Sequence, residues 1–174
     1  MSALLFPSGR NLPAKTEPHP EYALKAVFLF NFAQFVNWPA DAFPDGQAPL
    51  VIGVLGEDPF GNYLEETVQG EKVDGRPLTV SRYSSVDEID TCHVLFISQS
   101  EAERADKIIS KLDGRSILTV TDARDFSQTG IMIRFVSEKK KIKLKINVDA
   151  AKAAELAISS KLLRLADIVR SDKE

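Results

Sequence analysis

Residues 50–83, LVIGVLGEDPFGNYLEETVQGEKVDGRPLTVSRY, hold the decision about the fold. Leu50 to Leu55 is a short unbroken apolar run, the length and branching of a strand buried on both faces. Gly56-Glu57-Asp58-Pro59-Phe60-Gly61 then turns the chain into a helix from about Asn62 to Val68, and Gly75-Arg76-Pro77 leads into a second strand, Leu78 to Tyr83. Strand, helix and strand joined by short connections make a βαβ unit.

Downstream the rhythm continues. Cys92 to Ile97, CHVLFI, reads as a third strand, and SQSEAERADKIISKL follows it as a helix. Ser100 and Glu103 have capping-box spacing there, with Ala105, Ile108, Ile109 and Leu112 on the buried face. Ser116 to Val120 is a fourth strand. Alternation of this kind predicts an α/β fold, a mostly parallel, Rossmann-like sheet with helices on both faces. The pattern then changes to an antiparallel hairpin, Ile131 to Val136 and Lys141 to Val148, turning at Glu138-Lys139-Lys140. In KIKLKIN, Ile142, Leu144 and Ile146 share one face while Lys141, Lys143 and Lys145 line the other. That lysine row either keeps a sheet edge from pairing with another chain or presents an anion or partner surface. Two C-terminal helices close the chain, one capped by Asp149 and one by Ser159 or Ser160, with Leu162, Leu163, Leu165, Ala166 and Val169 as the apolar stripe of the last.

Upstream lies the most apolar stretch, Tyr22 to Pro39, YALKAVFLFNFAQFVNWP. At about 100° per residue, Asn31, Gln34 and Asn37 gather into one polar stripe and apolar side chains cover most of the rest. A helix so composed needs cover on more than one side. It is shorter than the roughly 20 apolar residues that span a bilayer, and it lacks the flanks of a secretory leader. The reading is a core helix ended by Pro39, in which Phe28, Phe32 and Phe35 are buried, and which, with Trp38, is also the candidate dimer surface. Residues 1–20, with three prolines close together, read as a flexible arm, and 21–172 as a single α/β domain. The start has no charged region followed by an apolar run, and an exported protein stripped of its leader looks the same.

A chain of 174 residues with 44% hydrophobic and 27% charged residues and a net charge of -3 has the composition of an ordinary globular domain, and that balance does not favour nucleic acid. The single cysteine, Cys92, permits no internal disulfide and leaves the redox compartment open.

The residues form no catalytic constellation. Gly53, Gly56 and Gly61 are not spaced as GxGxxG, and no Walker lysine follows. Glu57-Asp58 resembles the acidic pair of a phosphorylation receiver, but Ser98 stands where its phosphorylated aspartate belongs. Cys92 and His93 are strand neighbours on opposite faces and cannot form a dyad, so Cys92 reads as a small core residue. Histidines and cysteines are too few for zinc; Asp58, Asp122 and Asp125 at strand ends either cap turns or hold a cation, and turn capping is the simpler reading. No metal or cofactor is expected. Open parallel sheets bind ligands outside the carboxyl ends of their strands, which places a candidate small-ligand rim at Gly56, Asp58, Phe60, Ser98, Ser100, Thr121 and Asp122.

Several stretches together resemble the YfiR-like family: YALKAVFLFNFAQFVNWP, IGVLGEDPFG, CHVLFISQSE, ILTVTD with Phe126 and Gly130 following, and IKLKINVDAAKAAELAISSKLLRLA. The likeness covers about residues 20 to 170. It implies a non-catalytic exported regulator, periplasmic and dimeric, that binds the periplasmic portion of an inner-membrane diguanylate cyclase and holds it inactive, so that release raises cyclic-di-GMP and promotes biofilm. Relatives with this role can carry disulfides that tune them; lone Cys92 excludes an intramolecular one here. From the residues alone, a small-ligand binding protein or an enzyme using the strand-end rim is the alternative.

Overall fold

The computed structural model describes residues 17–124 and 130–171. The described residues run through helix α1 (Pro20–Phe35), then β1 (Val36–Asn37), β2 (Leu50–Leu55), α2 (Tyr63–Val68), β3 (Lys72–Val73), β4 (Arg76–Tyr83), β5 (Val94–Ile97), α3 (Ala105–Leu112) and β6 (Leu118–Thr121). After the interval 125–129 come β7 (Ile133–Glu138), β8 (Lys141–Asn147), α4 (Val148–Ala153), β9 (Ala157–Ile158), α5 (Ser160–Leu163) and β10 (Ala166–Val169). Eight of these strands form one mixed sheet in the order β10-β8-β7-β6-β5-β2-β4-β3. The β4-β2-β5-β6-β7 neighbours pair in parallel, β7 and β8 are antiparallel, β10 runs parallel to β8, and β3 folds back antiparallel on β4.

Burial follows from the alternation of strand side chains. Ile52 and Val54 of β2, Val94 and Phe96 of β5, and Leu118 and Val120 of β6 join α1, α2 and the C-terminal elements in one core cluster. Their neighbours Leu55, Leu95 and Ile97 belong to a second cluster with Ala105, Ile108 and Leu112 of α3. Successive strand residues point to opposite faces, so the two clusters lie on opposite sides of the sheet. Every residue of β2 is buried, which is why its sequence shows no polar alternation. Gly53 belongs to this packing: a Cβ there would stand 2.7 Å from the Tyr83 ring and 2.8 Å from Cys92 Sγ.

Helix α1 begins with Pro20 in its first turn, where the missing N–H costs nothing, and His19 Nδ1 accepts from the Glu21 amide at 3.2 Å. It buries Ala26, Leu29, Phe32 and Ala33, and Lys25 with them. Of the three phenylalanines expected inside, Phe32 is fully enclosed while Phe28 and Phe35 are half-buried against the core. The helix stops at Phe35, before Pro39, because Val36 turns extended and pairs with Ile158 in a two-residue antiparallel ladder, and the Ser159 amide bonds the Phe35 carbonyl at 2.8 Å. Residues 1–16 of the expected arm lie outside the described residues; Pro18, at its end, accepts from the Tyr63 hydroxyl at 3.4 Å.

Tertiary pairing overrides the helical pattern at the C-terminus. The expected last helix is a single turn, α5, capped by Ser159, and Ala166–Val169 leaves it as strand β10. The spacing of Leu162, Leu163, Ala166 and Val169 suits a helix, but β8 offers a free edge and β10 takes it. The sheet edge is therefore β10, and in β8 only Lys141 to Lys143 precede the paired stretch that starts at Leu144. Two caps also differ from expectation. Asn147, not Asp149, accepts from the Ala150 amide at the start of α4, and Ser100 caps nothing, because Gln99–Arg104 is a 3₁₀ helix.

Candidate functional site

A cavity of about 510 Å³ opens where α1 begins, beside the carboxyl ends of β5 and β6. Glu21, Tyr22 and Lys25 come from the first turns of α1, Gln99 follows β5, Asp122, Ala123 and Arg124 follow β6, Arg134 to Ser137 come from β7, and Lys145 from β8. Lys145 stands opposite Arg134 in the β7–β8 ladder, and Arg134 opposite Thr121 in the β6–β7 pairing, so the register fixes these side chains side by side.

An ion pair anchors the site. Lys25, 3% exposed, brings Nζ to 2.7 Å from Asp122 Oδ2 and 3.1 Å from Glu21 Oε1. The Tyr22 hydroxyl donates to the same Asp122 oxygen at 2.8 Å. Lys25 Nζ also sits 4.5 Å from the centre of the Tyr22 ring, close enough for a favourable cation–π contact. Burial, and then the Asp122 carboxylate, drive the Tyr22 phenol above its ordinary value, so it remains a donor. Ser137 Oγ donates to Glu21, and chiefly this bond, with help from Lys25, holds the Glu21 carboxyl below its usual range. Arg134 donates to the Ala123 carbonyl, and burial lowers its guanidinium pKa.

Of the seven rim residues read from the sequence, Asp122 lines this cavity. The others are held in separate packing arrangements. The crevice between β2 and β5, where strand order reverses, is filled by the protein: the Glu57 amide donates to Ser100 Oγ at 2.9 Å, the Ser98 amide bonds the Leu55 carbonyl at 3.0 Å, and a Cβ on Gly56 would stand 2.4 Å from Ser100 Oγ. Gly56 has φ of +91°, so this close approach suits glycine alone. Asp58 accepts from the Phe60 amide at 2.8 Å and from Arg82 Nε at 2.7 Å. Phe60 is buried, edge-on to Tyr22 and Phe96, and Thr121 donates to the Ile97 carbonyl at 2.7 Å from a fully enclosed position. Asp125 lies outside the described residues. Among those described, no group of three His, Cys, Asp or Glu is placed to hold a metal ion.

The lysine row divides. Lys145 reaches the cavity, Lys143 pairs with Glu138 at 2.6 Å, and Lys141 is exposed at the start of β8. Trp38 is half-buried beside His93, which Phe43 covers face to face at 4.3 Å. His93 Nδ1 accepts from the Val51 amide at 2.9 Å, so Nε2 carries the hydrogen and donates to the Ala42 carbonyl at 2.9 Å. Burial lowers its pKa, and it is a neutral structural side chain. Cys92 is a buried thiol whose pKa burial pushes up to about 12.

Sequence reasoning passed over Lys25, Tyr22 and Glu21. The signal was present: a lone lysine inside an apolar run must find a partner if its helix face is buried.

No helix among the described residues is long and apolar enough to cross a membrane. No curated protein matches the chain at a significant level. A family model does, over residues 22–167, from the first turn of α1 into β10. The chain belongs to the YfiR/HmsC-like family.

Proposed function

We propose that this chain is a non-catalytic periplasmic signalling regulator that binds the periplasmic portion of an inner-membrane diguanylate cyclase, or a similar receptor, and holds it inactive. Family membership over residues 22–167 carries this reading. Release of the cyclase then raises cyclic-di-GMP and promotes biofilm. Capture of the tagged chain from the periplasm of its native species recovers a membrane protein with a periplasmic segment, and deletion of the chain raises cyclic-di-GMP. Unchanged cyclic-di-GMP together with recovery of cytoplasmic proteins alone overturns it.

Regulation by contact needs a surface, and α1 supplies a candidate for a homodimer. Leu24 and Val27 point outward at 49% and 43% exposure, flanked by half-buried Phe28, Phe30 and Phe35, and no charged side chain is exposed on the helix. Leu24, Val27, Asn31 and Gln34 follow the alternating three- and four-residue steps of a helix–helix seam, where an asparagine fixes register between two copies. Light scattering tests this: Val27→Glu halves the mass of a dimer, whereas a wild-type monomer refutes it.

Five parallel pairings and a core cluster on each side of the sheet support the finer description of a mostly parallel, Rossmann-like layer with helices on both faces. A second functional reading, a small-ligand binding protein, is favoured by the cavity beside Asp122 and is compatible with the first.

A further inference from the structure

The turn of the β7–β8 hairpin breaks the local rule for its own conformation. Lys139 and Lys140 have φ of +46° and +64°, the two left-handed residues of a tight hairpin turn, a place that asparagine followed by glycine fills without strain. Two successive lysines held there point to a use for their charge. Residues 138–145 carry five lysines and one glutamate, in a chain whose net charge is -3.

The hairpin also projects. β6 pairs with β7 at Val120 and Thr121, opposite Ile133 and Arg134, and β7 runs on through residues 135–138, roughly 13 Å past the last of these pairs. On the other side β10 reaches no further than Ala166, opposite Leu144. Protection of a sheet edge accounts for lysines along a strand, whereas Lys139 and Lys140 lie in the turn itself. Glu138 engages Lys143; Lys139, Lys140 and Lys141 are exposed and enter no ion pair among the described residues. The parallel register of β10 on β8 sets the turn before β10, Arg164 and Leu165, beside the base of this arm. Leu165 is 70% exposed, the most open large apolar side chain among the described residues. A cationic tip with an apolar side chain beside it suits a negatively charged bilayer, where ammonium groups stay among the headgroups and the leucine enters the boundary beneath them. An acidic protein surface would use the lysines and leave the leucine in water.

We propose that the β7–β8 hairpin tip docks on an anionic membrane surface, with Lys139, Lys140 and Lys141 against the lipid headgroups and Leu165 in the boundary below. This goes beyond the regulatory reading and does not rest on it, because the vesicles that test it hold no protein.

Flotation of the chain with mixed phosphatidylglycerol and phosphatidylcholine vesicles tests it, against vesicles of phosphatidylcholine alone. The expected result is binding to the anionic vesicles, weakened about tenfold or more when salt rises from about 0.1 M to about 1 M and the screening length falls from about 10 Å to about 3 Å. Lys139→Asn/Lys140→Gly gives the turn its preferred residues, so the melting temperature holds or rises while affinity falls about twentyfold, on the order of fivefold for each lysine lost near a charged surface. Lys141→Gln, outside the turn, lowers affinity about fivefold, and Leu165→Gln lowers it with no change of charge. No binding to the anionic vesicles overturns the proposal, as does equal binding to the neutral ones or unchanged affinity in Lys139→Asn/Lys140→Gly. So does binding to soluble polyglutamate as tight as to the vesicles, with Leu165→Gln neutral toward both, which makes the tip a dock for an acidic protein.

Discussion

Lys25 and Asp122, ninety-seven residues apart in sequence, meet at 2.7 Å in a site that excludes nearly all solvent from both side chains. Removing one partner strands the other's charge in a low-dielectric setting, whereas replacing both with apolar groups of similar size is often nearly neutral. Glu21, at 3.1 Å, softens the loss on the lysine side. Asp122→Ala is expected to lose about 3 kcal/mol of stability, and Lys25→Met/Asp122→Leu to recover most of it. Urea denaturation of the three proteins measures this. A loss below about 0.5 kcal/mol in Asp122→Ala, typical of a surface pair, contradicts the buried pair.

Phe32 and its helical neighbours separate enclosure from partial cover. Phe32 is fully buried and lies 5.8 Å from the ring of Phe135, whereas Phe28 and Phe35 keep some exposure. Phe32→Ala is expected to cost about 3 to 5 kcal/mol, and Phe28→Ala and Phe35→Ala distinctly less. Guanidinium denaturation gives the ranking, and equal losses at all three positions contradict it.

His93 gives stability a pH dependence. Its folded pKa lies below its unfolded value because burial, and then the nearby Arg76 charge, disfavour the imidazolium, against the opposing pull of the Ala42 carbonyl. The unfolded chain therefore binds the proton more readily. The contribution is complete above the unfolded pKa of about 6.5 and is lost as pH falls from there toward the folded value. The urea midpoint is expected to stay level from about pH 8 to 7 and to fall toward pH 5.5. His93→Gln removes most of the slope in that window, whatever its own stability. An unchanged slope assigns the effect to another group.

Cys92 tests the tightness of the second core cluster. It is buried against Leu95 and Gly53, and burial pushes its thiol pKa to about 12, so little thiolate exists near neutrality. Ellman's reagent at pH 8, about half a unit below a free thiol's pKa, is expected to react slowly with the folded chain and at once after denaturation. Rapid reaction of the native protein would show that the strand opens readily.

The central strands were legible because burial on both faces leaves its mark in contiguous sequence: LVIGVL in β2 and VLFI in β5 have no polar face to display. The hairpin was legible for the opposite reason. In KIKLKIN, lysine alternates with apolar residues because one face is covered and the other is wet. Strand β10 was not legible, since its spacing of leucine, alanine and valine satisfies a helix equally, and only the neighbouring β8 chooses between them. The two-residue ladder of β1 and β9 is too short to carry any periodicity. At the cavity, Asp122 was visible as a strand-end aspartate, but its partners Tyr22 and Lys25 sit on another element and are joined to it only by the packing of α1. Gly56 and Ser100 do meet at one strand-end crevice, and the bonds there run to the backbone around them: the Glu57 amide to Ser100 Oγ and the Ser98 amide to the Leu55 carbonyl.

Helix α1 is also a matter of timing. Its first turns are tied to Asp122 and Ser137, and its last residue to Ser159, so both of its ends are fixed by segments that leave the ribosome long after the helix itself. Contacts of such wide sequence separation must repay loop-closure entropy before they stabilise anything, and they slow folding. Helix α1 thus cannot find its place until those later segments have been made, and until then its phenylalanines remain available to whatever binds unfolded chains.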